Sequence, residues 1–117
     1  MKRFIIFALV LALLLSACSS TKWPMSEKHK KYGEQALKIV DAYLDFEITA
    51  EEAESRIRSL VKSAKSLPEA ANKDEEFGNG RVVAKVEYIQ SAFALVNMGG
   101  SSHIADARDE LAELLGK

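Results

Sequence analysis

The side chains that could do chemistry are few in this sequence, and they stand apart. Its two histidines are His29 and His103. His103 precedes Asp106 by three residues, a spacing that puts an imidazole and a carboxylate on one helix face. Two donors are not a zinc site, which takes three or four. His29 lies in Lys28-His29-Lys30-Lys31, a cationic setting that disfavours a bound metal. Carboxylates gather at Asp41 and Asp45, at Glu51, Glu52 and Glu54, and at Asp74, Glu75 and Glu76. Paired acids work as acid and base only where burial raises one of them. These fall on polar helix faces or in a polar loop, so a solvated surface is expected. Residues 72–79 lack the alternating ligands and closing glutamate of a calcium loop. Gly78-Asn79-Gly80 lacks the lysine and spacing of a phosphate loop, and no serine stands in a Gly-x-Ser-x-Gly elbow. The expectation is therefore no catalytic residue, no cofactor and no metal. One reactive side chain is left, the single cysteine at position 18.

Cys18 closes a segment unlike the rest of the chain. Apolar residues make up 48% of the 117, yet they fill fourteen of the first seventeen positions. Lys2-Arg3 supplies a positive start, and residues 4–15 form an unbroken apolar run. Twelve residues give roughly 18 Å of helix, short of the ~30 Å hydrocarbon core. That is the length of an export signal, not of a permanent span. The small residues Ser16 and Ala17 let a peptidase approach the backbone, and a thiol is the side chain that readily forms a stable thioether. Leu15-Ser16-Ala17-Cys18 resembles the lipobox of bacterial prolipoproteins, a resemblance confined to residues 1–18. It implies that Cys18 is diacylglycerylated, that the chain is cut before it, and that the new amino terminus is acylated with a fatty acid such as palmitate. Two acyl chains are what stable membrane anchoring requires. The competing reading is an ordinary secreted protein whose cysteine sits by chance at the cut. Residue 19 is Ser, where Asp would resemble an inner-membrane retention signal. This favours the outer membrane if the envelope has two, and otherwise the cell membrane.

Residues 1–17 are thus read as signal peptide, 18–25 as lipidated cysteine and tether, and 26–117 as one helical domain. The tether residues 19–25 span at most about 25 Å, holding the domain close to lipid. Trp23 either rests at headgroup level or caps the helical core. Ser26 is the expected N-cap of a first helix, with Glu27 at the positive end of the dipole. Tyr32, Ala36, Leu37, Val40 and Leu44 form its apolar stripe, ending near Phe46. Thr49 and Glu52 make a capping box opening a second helix, which Pro68 stops. The short connection predicts an antiparallel hairpin. Residues 68–80 are the weakest stretch for structure, with Gly78-Asn79-Gly80 read as a chain breaker. Val82, Val86, Ile89, Phe93 and Val96 then recur at helical spacing over about seventeen residues; β-branching makes a strand over residues 82–88 the alternative. Gly99-Gly100 ends this run, Ser101 or Ser102 caps a fourth helix carrying Ile104, Ala107, Leu111, Leu114 and Leu115, and Gly116 closes it. The fold class is all-α, about four short amphipathic helices packed as two hairpins.

Without residues 1–17 the remaining hundred carry 14 basic against 17 acidic residues. This excludes a strongly basic nucleic-acid binder, and one cysteine excludes a disulfide framework. Lys22, Lys28, Lys30 and Lys31, with Trp23, are the candidate membrane-surface contacts, since a basic patch beside lipid attracts anionic headgroups. Residues 18–67 hold nine basic and eight acidic residues, residues 68–117 five and nine. An acidic half facing away from the membrane is the consequence expected. Tyr43-Leu44-Asp45-Phe46-Glu47-Ile48-Thr49-Ala50-Glu51-Glu52-Ala53 resembles helix–turn–helix segments of small bacterial and phage-encoded proteins. Three functional readings follow. The first is a membrane-anchored, non-enzymatic helical module that binds another envelope protein. The second is a prophage-type superinfection-exclusion or immunity lipoprotein. The third is a small hydrolase or metal carrier using His103, Asp106 and a loop carboxylate. Oligomeric state is not legible.

Overall fold

The computed structural model describes residues 23–117, so the signal peptide, Leu15, Ser16, Ala17, Cys18 and Lys22 lie outside the described residues. Within them the chain is helical, with no strand: α1 (Glu27–Leu44), α2 (Ala50–Ser63) continuing into a 3-10 turn (Ala64–Ser66), α3 (Lys73–Asn97) and α4 (Ile104–Leu114). The first two helices start where their capping residues place them. Ser26 Oγ accepts the His29 N–H at 3.0 Å, and Thr49 Oγ1 accepts the Glu52 N–H at 3.1 Å. Each satisfies an amide that the first helical turn leaves without an intrahelical partner. The expected capping box is half formed, because the Glu52 carboxylate turns to Arg56, 3.8 Å away.

The apolar stripes of all four helices meet in one core. Val40, Ile57, Val82, Val86, Ile89, Phe93 and Leu111 are fully shielded from solvent, each large aliphatic contributing roughly 1.5–3 kcal/mol. Helices α1 and α3 each pack against the other three, with α2 and α4 flanking that pair. The solvent faces of α1 and α3 therefore point in opposite directions. The basic half (α1 and α2) and the acidic half (α3 and α4) pack directly against each other. The start of α1 is bonded to α3 through Ser26 N–H and Asn79 Oδ1 at 2.9 Å, and Lys117 reaches Glu34 on α1 at 3.5 Å.

The main departure from the sequence expectation is the start of α3. Gly78-Asn79-Gly80 does not break the chain; the helix begins at Lys73 and runs for 25 residues. Asn72 Oδ1 accepts the Glu75 N–H at 2.8 Å, and Glu75 Oε1 accepts the Ala71 N–H at 3.4 Å. Asp74, Glu75 and Glu76 occupy the first turn, where the helix dipole favours negative charge. Gly78 admits the tether: a β-carbon there would lie 1.8 Å from the Pro24 carbonyl oxygen. The strand alternative for residues 82–88 is excluded by the same continuous helix.

The helix ends share one device. At α4, the N–H of Gly116 (φ 74) donates to Glu113 O at 3.1 Å and that of Lys117 to Ala112 O at 2.8 Å. At α3, Gly99 (φ 86) donates to Val96 O at 3.0 Å and Gly100 to Leu95 O at 2.9 Å. This paired pattern is the Schellman motif, whose turning residue is left-handed and usually glycine. At α1, which ends at Leu44 with Asp45 as its C-cap, the turning residue is Phe46, at φ 62. Phe46 donates to Tyr43 O at 3.1 Å and Glu47 to Ala42 O at 2.9 Å. Neither Ser101 nor Ser102 caps α4. His103 holds the N-cap position without a side-chain bond, its carbonyl accepting the Ala107 N–H at 3.0 Å.

Candidate membrane-facing site

The tether enters the fold on α3. Pro24 lies over Gly78, which leaves the half-buried Trp23 beside Phe77. The two rings meet edge to face, centroids 5.1 Å apart at 67°. The Arg81 guanidinium lies 4.9 Å from both ring centroids, a position in which the ring faces attract the cation. One turn further on, Lys85 pairs with Glu110 of α4 and stands 5.3 Å from the Tyr88 ring centroid. Trp23, Arg81, Lys85, Glu110, Glu113 and Leu114 border a surface cleft of about 320 Å³. Trp23 is thus half-buried against Phe77 and Arg81, at one end of a surface of aromatic and cationic groups.

Of the lysines that the sequence groups with Trp23, Lys22 lies outside the described residues and the other three belong to α1. Lys28 and Lys31 are exposed on α1 and Lys30 is half-buried. Among the described residues, the cation over Trp23 is Arg81. The aromatic partners Phe77 and Tyr88 were not legible as site residues, because Phe77 fell in the presumed loop. A signal was available: positions 77, 88 and 95 share one side of a helix at 100° per residue, and all three are large and apolar.

The other candidates are dispersed. His103 Nδ1 is 3.7 Å from Asp106 Oδ2, with the side chains 85% and 76% exposed. Among the described residues, no three His, Cys, Asp or Glu side chains gather as a metal site. Asp41 receives Arg108, Nε at 2.8 Å on one carboxylate oxygen and Nη2 at 3.4 Å on the other, a structural link between α1 and α4. Asp45 is the C-cap of α1. Glu54 takes a hydrogen bond from Asn97 Nδ2 at 2.6 Å and pairs with Arg58; the Asn97 bond first, and then Arg58, hold its carboxyl below the usual range. His29 is buried against Ser26, with Nδ1 2.5 Å from Oγ.

A second apolar feature lies at the opposite end of the bundle. Asn97 donates to Ala50 O at 3.2 Å, bringing the end of α3 beside the start of α2. The α1–α2 and α3–α4 turns therefore share that end, and they carry Phe46 and Met98, 95% and 81% exposed. Among the described residues no helix is long and apolar enough to cross a membrane.

No curated protein and no solved structure matches the chain, so the comparisons lend no support to a family resemblance in the helical domain. Residues 1–19 match the family model of the prokaryotic membrane lipoprotein lipid attachment site. The chain accordingly carries a lipoprotein lipid-attachment signal, which anchors a protein to the membrane through a lipidated cysteine.

Proposed function

We propose that this lipoprotein is a non-enzymatic helical module that binds another protein of the cell envelope. The observation that carries the reading is Phe46. A bulky residue at positive φ is a conformational outlier, and strain of that kind points to a functional role. Here the strained backbone projects a phenyl ring that is 95% exposed and so contributes almost nothing to the core. Exposed Asp45 and Glu47 flank it. The complementary surface is an apolar pocket rimmed by lysine or arginine on the partner. The hydrolase or metal-carrier reading has less behind it, since His103 and Asp106 stand in solvent without a third group.

The experiment is to place a photo-crosslinking residue at position 46, and as a control at the exposed Ser55 of α2, in the anchored full-length protein in its own envelope. A discrete adduct at 46, absent at 55 and lost when Asp45 and Glu47 are both changed to Lys, supports the reading. Equal adducts at both positions, or adducts that survive the charge reversal, would overturn it.

A further inference from the structure

We infer that the solvent face of α3, from Phe77 to Leu95, lies flat against the lipid bilayer, with Trp23 at its anchored end. The inner face of this helix, with Val82, Val86, Ile89 and Phe93, already fills the core. Its outer face is apolar as well. Phe77, Tyr88 and Leu95 are 50%, 52% and 45% exposed, and they fall within about 20° of one another around the helix axis. Arg81, Ala84 and Ser91 lie between them, within about 40° of Phe77. That strip holds one cation and no carboxylate; Glu76 and Glu87 stand well round the helix, about 80–100° away. A soluble helix buries one stripe. This one carries two, and the second stays about half-exposed, with Trp23 against Phe77 at its start.

The anchor identifies what covers the second stripe. Cys18 precedes Trp23 by five residues, a reach of at most about 18 Å. The Trp23 ring touches Phe77, the first residue of the strip. Once the cysteine is lipidated, the strip is held at the membrane before any partner diffuses in, and the contact becomes intramolecular. The residue types suit an interface. Trp and Tyr prefer the headgroup level, Phe and Leu enter the acyl boundary, and Arg81, its guanidinium against the Trp23 and Phe77 rings, keeps its charge at the level of the phosphates. The placement also orients the molecule. Helix α1, whose outer surface points the opposite way, faces the aqueous side with Lys28 and Lys31, and the Phe46 end projects along the membrane.

The test uses the lipidated full-length protein in phosphatidylethanolamine–phosphatidylglycerol vesicles whose acyl chains carry bromine, a contact quencher of indole fluorescence. Trp23, the single tryptophan, is replaced by Phe, and one Trp is introduced as Tyr88→Trp, Leu95→Trp or, on the opposite face, Gln35→Trp. The expected result is about twofold or greater quenching at positions 88 and 95, an insertion depth appropriate to an interfacial helix, and little at 35. Adding Phe77→Glu and Tyr88→Glu to the Leu95→Trp protein should abolish its quenching while circular dichroism shows the helices retained. Equal quenching at 35 and 88 would refute the orientation. So would shielding of position 88 from aqueous iodide without bromine quenching, because a protein or a second copy would then cover the face.

Discussion

Phe46 and Gly116 occupy the same position of the same motif, each the left-handed residue that turns the chain out of a helix, at φ 62 and 74. Glycine adopts that conformation freely, whereas an L-residue with a side chain loses about 1–2 kcal/mol. Phe46→Gly should therefore stabilise the protein, by about 1 kcal/mol once the greater freedom of glycine in the unfolded chain is set against the relief. For a domain of this size the unfolding midpoint should rise by about 4–8 °C. The same variant should lose the crosslinking partner. A variant that is less stable than the parent would mean that the Phe46 ring makes contacts its exposure does not suggest.

Two glycines two residues apart in α3 should respond to alanine with opposite signs. At Gly78 a β-carbon would strike the Pro24 carbonyl at 1.8 Å, whereas at Gly80 nothing lies within 4 Å. Gly80→Ala should stabilise by about 1 kcal/mol through helix propensity. Gly78→Ala should destabilise by about 1–3 kcal/mol, as overpacking does, and shift Trp23 emission to the red as the ring leaves Phe77. Urea denaturation followed by Trp23 fluorescence measures both. Effects of the same sign would show that the tether does not pack on α3.

The same contrast, between residues that act locally and residues that act at a distance, separates what the sequence makes legible from what it does not. Ser26, Thr49, Gly99 and Gly116 act locally, within a few residues of the helix end each one marks, so the helices and most of their ends were legible. Gly78 and Asn79 act at a distance. Their helix-weakening chemistry is offset by Pro24 and by the Ser26 N–H, more than fifty residues earlier, and no window along the chain contains both partners. The local signal of Asn72 followed by Glu75 was present, but the two glycines outweighed it. Placing Phe77 in a loop then hid the strip it begins. The candidate membrane site was legible only in Trp23, since Arg81, Tyr88 and Leu95 acquire meaning together once α3 starts at Lys73. Phe46 was invisible for a different reason: the helix was expected to continue to it, and glycine is the residue that announces a left-handed turn.

Cys18→Ser removes the thiol to which the acyl group is attached. The variant should move from the detergent phase to the aqueous phase on detergent phase separation, because without the thioether the chain lacks the acyl chains that stable anchoring requires. Retention in the detergent phase would refute anchoring through this cysteine.

Tyr32 is 3% exposed, and its hydroxyl has no hydrogen-bond partner among the described residues. A buried polar group left unsatisfied costs about 1–3 kcal/mol, so Tyr32→Phe should be neutral or stabilising by about 1 kcal/mol. Burial first, and then the charge of Glu87, push the phenol up to about 12. In the unfolded chain it ionises near 10. Between these values the unfolded state sheds the proton first, and stability falls as pH rises. Chemical denaturation at pH 9 and pH 11 should show a smaller fall in Tyr32→Phe than in the parent. Parallel falls would place the hydroxyl in water.

His29 provides the corresponding test on the acid side. It is 6% exposed, and burial lowers its pKa below the ordinary 6.5, with Glu75 opposing part of that shift. Neutral imidazole is thus the form that fits between α1 and its Ser26 cap, where Nδ1 lies 2.5 Å from Oγ. As pH falls through about 6.5, His29 in the unfolded chain takes up a proton that the folded protein resists. Stability present above that pH is therefore lost below it, down to the pKa of the folded state. His29→Gln keeps a polar side chain of similar reach without the proton. Thermal midpoints at pH 7.5, 6.5 and 5.5 should decline more steeply for the parent than for this variant. If the two decline together, the acid sensitivity belongs to the carboxylates, and His29 does not gate the start of α1.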